Sequence, residues 1–298
     1  MRELTKAQGK LLDSAASIQQ QSARDADSIK FMARSMVLAT FPHSNPGDVP
    51  IWGRRNGDYS LTIQPQLKLD KNGNPESLGI PYGTIPRLIL CWLTSEVVQR
   101  KRREVELGNS LSEFMRKLDI LPTGGTFGSI PRVKKQMKSL FTANISITYD
   151  EKDRFINEPC RIADSADILW TSVKEPDQIS LWKSSIVLSE KFFNDIMTRP
   201  VPVDMRALKA LKGSSLQLDI YAWLTYRLSR VAARTPIPWE QLKEQFGSDY
   251  ATTKQFAYEF KKALKKVQAV YKHANVEAES KYLILRPSRT SVSVNHGL

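Results

Sequence analysis

Two stretches of this chain concentrate lysine and arginine in a way that suits one kind of chemistry, the holding of phosphate oxygens. In the first, Arg132, Lys134, Lys135 and Lys138 are interleaved with Ile130, Val133, Met137, Leu140 and Phe141, and no acidic residue occurs between Gly124 and Tyr149. In the second, Lys254, Tyr258, Lys261 and Lys265, with Lys262 and Lys266 beside them, are interleaved with Phe256, Phe260, Leu264, Val267 and Tyr271; Glu259 is the sole acid there. Both apolar sets recur at helical spacing, so each cationic set falls on the opposite side of its helix. The ordinary reading of such a run is a solvated helix face. A solvated face mixes signs, however, because each Glu–Lys pair adds about 0.2–0.5 kcal/mol. These two helices forgo the pairs and accept like-charge repulsion, which phosphates would relieve as counterions are released.

The residues that would support bond-making chemistry are missing or scattered. His43, His273 and His296 lie far apart, and there is no His-x-His pair to hold a metal in a nicking site. The glycine-rich run Gly124-Gly125-Thr126-Phe127-Gly128 is not followed by Gly-Lys-Ser/Thr, so it reads as a turn between helices and not as an ATP-binding loop. No Gly-x-Ser-x-Gly or Cys/His pairing marks a nucleophile. Acids are plentiful and leave a carboxylate nuclease as the one enzyme reading open. The expectation is a non-enzyme without metal or cofactor.

The elements that would carry the cationic faces repeat along the chain. A buried helix is expected over residues 85–100, with Pro86 in its first turn. A short helix follows over 111–118 with Ser110 as N-cap, then the glycine turn, then the first cationic helix from Ser129 to about Thr142. Alternating stretches at 145–149 and 168–171 read as a hairpin. The order recurs as a buried helix from Leu216 to Val231, a short helix from Pro238 to Gly247, the second cationic helix from Thr252 to Lys272, and a hairpin of 276–280 with 282–285. Leu90-Cys91-Trp92-Leu93-Thr94 and Tyr221-Ala222-Trp223-Leu224-Thr225 stand at the same place in the two units. Helix, short helix, turn, helix, hairpin is the winged-helix form of the helix-turn-helix. A further hairpin is expected over 52–63, with Asn56-Gly57 at its turn, and a loop over 41–48. Trp92 and Trp223 are expected to anchor their cores.

The expected fold class is therefore α+β, two tandem winged-helix domains. Residues 1–34 read as a flexible or weakly helical tail, 35–174 as the first domain and 175–298 as the second. The 298 residues suffice for two cores. The 44 Lys and Arg outnumber 31 acids, a formal charge of +13 that suits an anionic partner. Cys91 and Cys160 suggest no disulfide framework, which fits a reducing cytoplasm, and no apolar run approaches the roughly 20 residues of a membrane span.

Several runs resemble the plasmid RepA-type replication initiators. They are Ile80-Pro81-Tyr82-Gly83-Thr84-Ile85-Pro86-Arg87-Leu88-Ile89-Leu90-Cys91-Trp92-Leu93-Thr94, then Leu107-Gly108-Asn109-Ser110-Leu111-Ser112-Glu113-Phe114-Met115-Arg116-Lys117-Leu118 with Thr123-Gly124-Gly125. Pro200-Val201-Pro202-Val203-Asp204 and Trp239-Glu240-Gln241-Leu242 with Phe246-Gly247 follow in the second half. The resemblance covers roughly residues 40 to 290. It implies binding to repeated sites in a plasmid origin, opening of adjacent A·T-rich DNA, and recruitment of the host initiator DnaA and the replicative helicase. It also implies a homodimer that represses its own promoter and a monomer that initiates. The second winged helix would make the main base contacts; the first would add DNA contacts and the dimer surface. Thr253, Lys254 and Tyr258 are then best placed for base edges, the lysine faces for phosphates, and Arg286 and Arg289, after the last strand, for backbone or minor groove. The alternative is a transcriptional repressor with the same fold and no role in initiation.

Overall fold

The structure, a computed structural model, describes residues 5–151, 154–168, 184–247 and 250–292. The chain forms two compact units, a central one of residues 44–199 and a composite one in which residues 1–43 join residues 200–298.

The N-terminal arm of the composite unit is ordered. Helix α1 (Lys6–Gln20) starts in a capping box, in which Thr5 Oγ1 accepts from the Gln8 amide at 3.3 Å and Gln8 Oε1 accepts from the Thr5 amide at 2.9 Å. Strand β1 (Ile29–Met32) and the short helix α2 (Arg34–Leu38) complete the arm.

The central unit opens with hairpin β2 (Trp52–Asn56) and β3 (Tyr59–Gln64), followed by the small pair β4 (Leu67–Leu69) and β5 (Pro75–Ser77). Next come α3 (Thr84–Arg100), β6 (Glu104–Gly108), α4 (Leu111–Lys117) and α5 (Ser129–Thr142). Strands β7 (Asn144–Glu151), β8 (Arg154–Cys160), β9 (Ala163–Asp167) and β10 (Ser184–Leu188) and helix α6 (Glu190–Thr198) close it. Ser110 caps α4 as expected, its Oγ accepting from the Glu113 amide at 3.1 Å. In the first hairpin the intervening residues are Gly57, at φ +62°, and Asp58, one step later than expected.

The chain then returns to the composite unit through β11 (Val201–Asp204), α7 (Met205–Leu211), α8 (Ser215–Leu228), β12 (Thr235–Pro238), α9 (Trp239–Phe246), α10 (Thr253–Val270), β13 (Val276–Ala278) and β14 (Tyr282–Leu285). The arm is stitched in here: β1 pairs antiparallel with β11, Ile29 opposite Asp204, and α1 packs on α7 and α10. Arg206 does much of the fastening. Its guanidinium donates to the Ser17 and Gln21 carbonyls at 3.1 and 3.0 Å, at the end of α1, while pairing with the buried Asp204 at 2.7 Å.

Both units carry one topology. The sheet β12–β14–β13 places the first strand beside the third and the third beside the second, and β6–β10–β9 repeats that order. The two series α8–β12–α9–α10–β13–β14 and α3–β6–α4–α5–β9–β10 therefore match element for element. The central unit differs by an insertion: β7 and β8 lie between α5 and β9 and join the first hairpin in a separate sheet, β2–β3–β7–β8. In the composite unit the middle strand is covered on both faces, with Leu283, Ile284 and Leu285 wholly buried.

Four expectations change. Over residues 5–34 the arm is helical in α1 and is not flexible, because the Thr5 box, the β1–β11 ladder and Arg206 hold it to the composite unit. The domain division falls at 43/44 and 199/200, since β10 and α6 complete the central core through Ile186, Leu188, Phe192 and Ile196; the expected boundary at 174/175 lies outside the described residues. The stretch 145–149 pairs with β3 and β8, where a hairpin with 168–171 was expected; of that stretch only Ile168 lies among the described residues. Finally, Trp223 is buried at 4% exposure, its ring edge-on to Phe246 at 5.5 Å, whereas Trp92 is only half-buried against Phe114.

Candidate nucleic-acid interface

Helix α10 is built to hold a cationic face outward. Thr252 Oγ1 caps it by accepting from the Gln255 amide at 3.2 Å. Phe256, Phe260, Ala263, Leu264, Val267 and Val270 are buried along one side. Phe260 alone meets the rings of Trp239, Phe246 and Phe256 within 5.9 Å. That aromatic cluster fixes the helix in roll, and the opposite side must face solvent. There Lys254, Lys265 and Lys266 are exposed, and Tyr258 is 62% exposed.

The hairpin β13–β14 is braced against this face. Trp239 Nε1 and Lys261 Nζ both donate to the Glu279 carbonyl, at 3.2 and 3.0 Å, and the ammonium of Lys261 stands 5.2 Å from the Trp239 ring centre. The Glu279 amide donates to the Tyr282 carbonyl at 2.9 Å, which closes the turn around Ser280 and Lys281. The Trp239 amide donates to the Lys281 carbonyl at 3.3 Å. The result is an open cleft with Thr253, Lys254, Ala257, Tyr258 and Lys261 on one wall and Ser280, Lys281 and Tyr282 on the other.

The expected site residues divide according to their neighbours. Thr253, Lys254, Tyr258 and Lys261 converge on the cleft, with Lys265 and Lys266 farther along the same helix. Lys261 is partly structural, since it holds the hairpin. Lys262 pairs with Glu259 at 3.1 Å, and that hydrogen bond raises its pKa above the ordinary lysine value. Arg286 pairs with Glu277 at 2.8 Å. Arg289 sits at the opposite end of α10, where its carbonyl accepts from the hydroxyl of Tyr271 at 2.9 Å; Tyr271 itself lies about 27 Å along the helix from Thr253 at 1.5 Å per residue. Arg289 therefore does not join the cleft.

In the central unit α5 presents Arg132, Lys135 and Lys138 to solvent, while Lys134 is half-buried and already engaged. Val133, Met137, Leu140 and Phe141 form the buried side. Gln136 is buried with them, its Oε1 accepting from the Tyr82 amide at 2.8 Å, and Ser139 donates to the Leu78 carbonyl at 2.6 Å. These polar contacts tie the cationic helix to the loop that leads into α3. Among the described residues no acidic side chain pairs with Arg132, Lys135, Lys138, Lys254, Lys265 or Lys266.

Sequence reasoning did not give Trp239, Ser280, Lys281 or Tyr282 a place at the site. The hairpin's own turn was the available signal, because the tip of a wing is the part that can reach a ligand beside the helix. Among the described residues there is no group of three or more His, Cys, Asp or Glu placed to hold a metal ion, and no helix is long and apolar enough to cross a membrane.

Residues 80–241 match the family model described as plasmid encoded RepA protein. No curated protein matches the chain. Among solved structures, a selenomethionine crystal structure of domains 2 and 3 of RctB aligns with 85% of this chain and 95% of its own, at TM-score 0.52 and 10% identity. A second crystal structure of RctB domains 2–3 aligns over 86% and 96%, at TM-score 0.49 and 10% identity. At that identity the first likeness is one of fold, and it agrees with the element order given above: the chain is α+β with tandem winged-helix units.

Proposed function

We propose, on the premise that the chain belongs to the plasmid encoded RepA protein family and has a plasmid replication initiator's role, that it acts by binding repeated sites in the plasmid origin through both winged-helix units. The observation that carries this reading is the cleft between α10 and the braced tip of β13–β14, with cations on its helix wall that have no acidic partner among the described residues. In that arrangement α10 enters the major groove. Thr253, Lys254 and Tyr258, in its first two turns, meet base edges, Lys265 and Lys266 hold phosphates, and Lys281 at the hairpin tip reaches the adjoining backbone. Arg132, Lys135 and Lys138 on α5 add the phosphate contacts of the central unit.

The reading is non-catalytic. Opening of A·T-rich DNA draws its energy from binding and bending, which costs of order 1–6 kcal/mol over 20–30 base pairs and is shared among copies on adjacent repeats. Recruitment of host DnaA and the replicative helicase, dimerisation with repression of the protein's own promoter, and a cytoplasmic location belong to the same proposal and rest on the family. A supercoiled plasmid carrying the gene and its flanking DNA tests it. Purified protein is expected to protect repeated sites and to expose permanganate-reactive thymines without ATP hydrolysis, with host DnaA supplied where required, while the plasmid stays closed circular. Nicked plasmid with protein covalently attached would overturn the non-catalytic reading. Protection of a promoter alone, with no plasmid maintained by the gene and its repeats, would favour the repressor.

A further inference from the structure

The turn between α4 and α5 holds the most exposed of the large apolar side chains among the described residues. Phe127 is 95% exposed, and Leu121, at the start of the same turn, is 78% exposed. This turn is well braced. Ser129 Oγ donates to the Leu121 carbonyl at 2.6 Å and accepts from the Thr123 amide at 2.8 Å. The Ser129 amide donates to Thr123 Oγ1 at 2.9 Å, and the Ile130 amide to the Thr123 carbonyl at 3.1 Å. Gly128 is required for the close approach, because a Cβ there would overlap the Thr123 and Gly124 carbonyls. Folding therefore fixes the turn and leaves the ring in solvent, where an aromatic side chain of this size is normally hidden.

The position of that ring says what it is for. Phe127 stands two residues before α5, whose exposed Arg132, Lys135 and Lys138 face phosphates in the function proposed above. When such a helix lies in the major groove, the residues at its N-terminus are those that reach base edges. Phe127 has no hydrogen-bonding group. The base-edge feature that suits an apolar side chain in the major groove is the C5 methyl of thymine. The absence of acidic residues from Gly124 to Tyr149 lets phosphates come close on either side, which favours DNA over a protein partner at this tip.

We infer that Phe127 is a specificity-determining contact of the central unit that recognises thymine methyl groups. The inference rests on the reading of α5 as a DNA-contacting helix, and it adds to that reading a base preference for the central unit.

The test uses the full chain and a duplex carrying one footprinted origin repeat, compared with the same duplex in which deoxyuridine replaces thymine. Deoxyuridine pairs identically and lacks only the methyl. At the transfer free energy of one buried carbon, each methyl contacted is worth roughly fourfold in affinity. Wild-type protein is expected to weaken by that factor on uracil DNA. Phe127→Ala should lose the same factor on thymine DNA and show no further loss on uracil DNA. The joint reversal Arg132→Glu and Lys135→Glu should weaken both duplexes and keep the thymine-to-uracil ratio. A Phe127→Ala protein that binds as wild type, or that keeps the wild-type ratio, would overturn the inference. So would loss of a host protein's binding with DNA binding unchanged. If the reversal leaves affinity and salt dependence untouched, the DNA role of α5 itself fails. Melting of Phe127→Ala should match wild type, since folding buries almost none of the side chain.

Discussion

Truncating each of the twin tryptophans measures how differently the two units use the same sequence position. Trp223 is 4% exposed and packs edge-on against Phe246. Phe246 in turn touches Phe260 on the buried side of α10. Replacing Trp223 by Ala opens a cavity beneath that helix, at a cost of about 3–5 kcal/mol. For a unit of this size each kcal/mol moves the melting temperature by roughly 3 °C, so the composite unit should melt about 9–15 °C lower. Trp92 is half-buried, meets Phe114 at 5.1 Å and has the ammonium of Lys117 5.9 Å from its ring centre. Its truncation forfeits one edge-on contact and an exposed cation–π contact, about 1–2 kcal/mol together, and less burial than Trp223 gives up, so the central unit should lose fewer degrees than the composite unit does. Scanning calorimetry of wild type and both single variants gives the comparison. A shift in Trp92→Ala equal to or larger than that in Trp223→Ala would refute the packing argument. A fully stable Trp223→Ala protein that fails to bind DNA would place that residue at the interface instead.

Other perturbations separate support from contact. Arg206→Ala leaves the carboxylate of Asp204 buried without its cation and removes two bonds to the end of α1. It should cost about 3 kcal/mol, and amides of residues 9–21 should lose hydrogen-exchange protection before the rest of the composite unit does. Lys261→Met should loosen the hairpin, seen as faster exchange at Glu279 and Tyr282, whereas Lys265→Glu should weaken DNA binding with exchange unchanged. Burial pushes the Tyr221 phenol well above its ordinary range and that of Tyr271 up to about 12. The unfolded chain releases these protons near pH 10 while the folded chain keeps them. Stability should therefore be intact below about pH 10 and fall as the pH rises from there through 12. Urea unfolding between pH 8.5 and 11.5 should show that decline, and a smaller one in Tyr271→Phe.

The repeat of elements was legible because each cationic helix carries its own apolar stripe, and α3, α4, α5, α8, α9 and α10 all lie close to where periodicity and caps put them. The arm was harder to read. Thr5-Lys6-Ala7-Gln8 carries the capping-box pattern, but the helix it starts has few apolar residues: Ala15 is buried and Leu12 is 51% exposed. Much of what keeps α1 in place is Arg206 and the packing on α7 and α10, and no local pattern connects positions so distant. The insertion of β7–β8 was misread for a similar reason, since a strand's alternation does not name its partner. At the site the helix face was legible, whereas the separation of Arg289 from Thr253 and the double duty of Lys261 depend on where the last hairpin packs.

The salt dependence of binding to a footprinted origin repeat tests most directly whether α10 meets DNA. Log affinity should fall linearly with log salt, with a slope of about 0.9 for each phosphate held. Wild type is expected to show a steep slope, and the joint reversal Lys265→Glu and Lys266→Glu, both exposed, to reduce it by about 2 while its melting temperature stays put. Affinity that does not respond to salt, or a slope unchanged in that variant, would contradict the assignment of α10 as the helix that meets DNA.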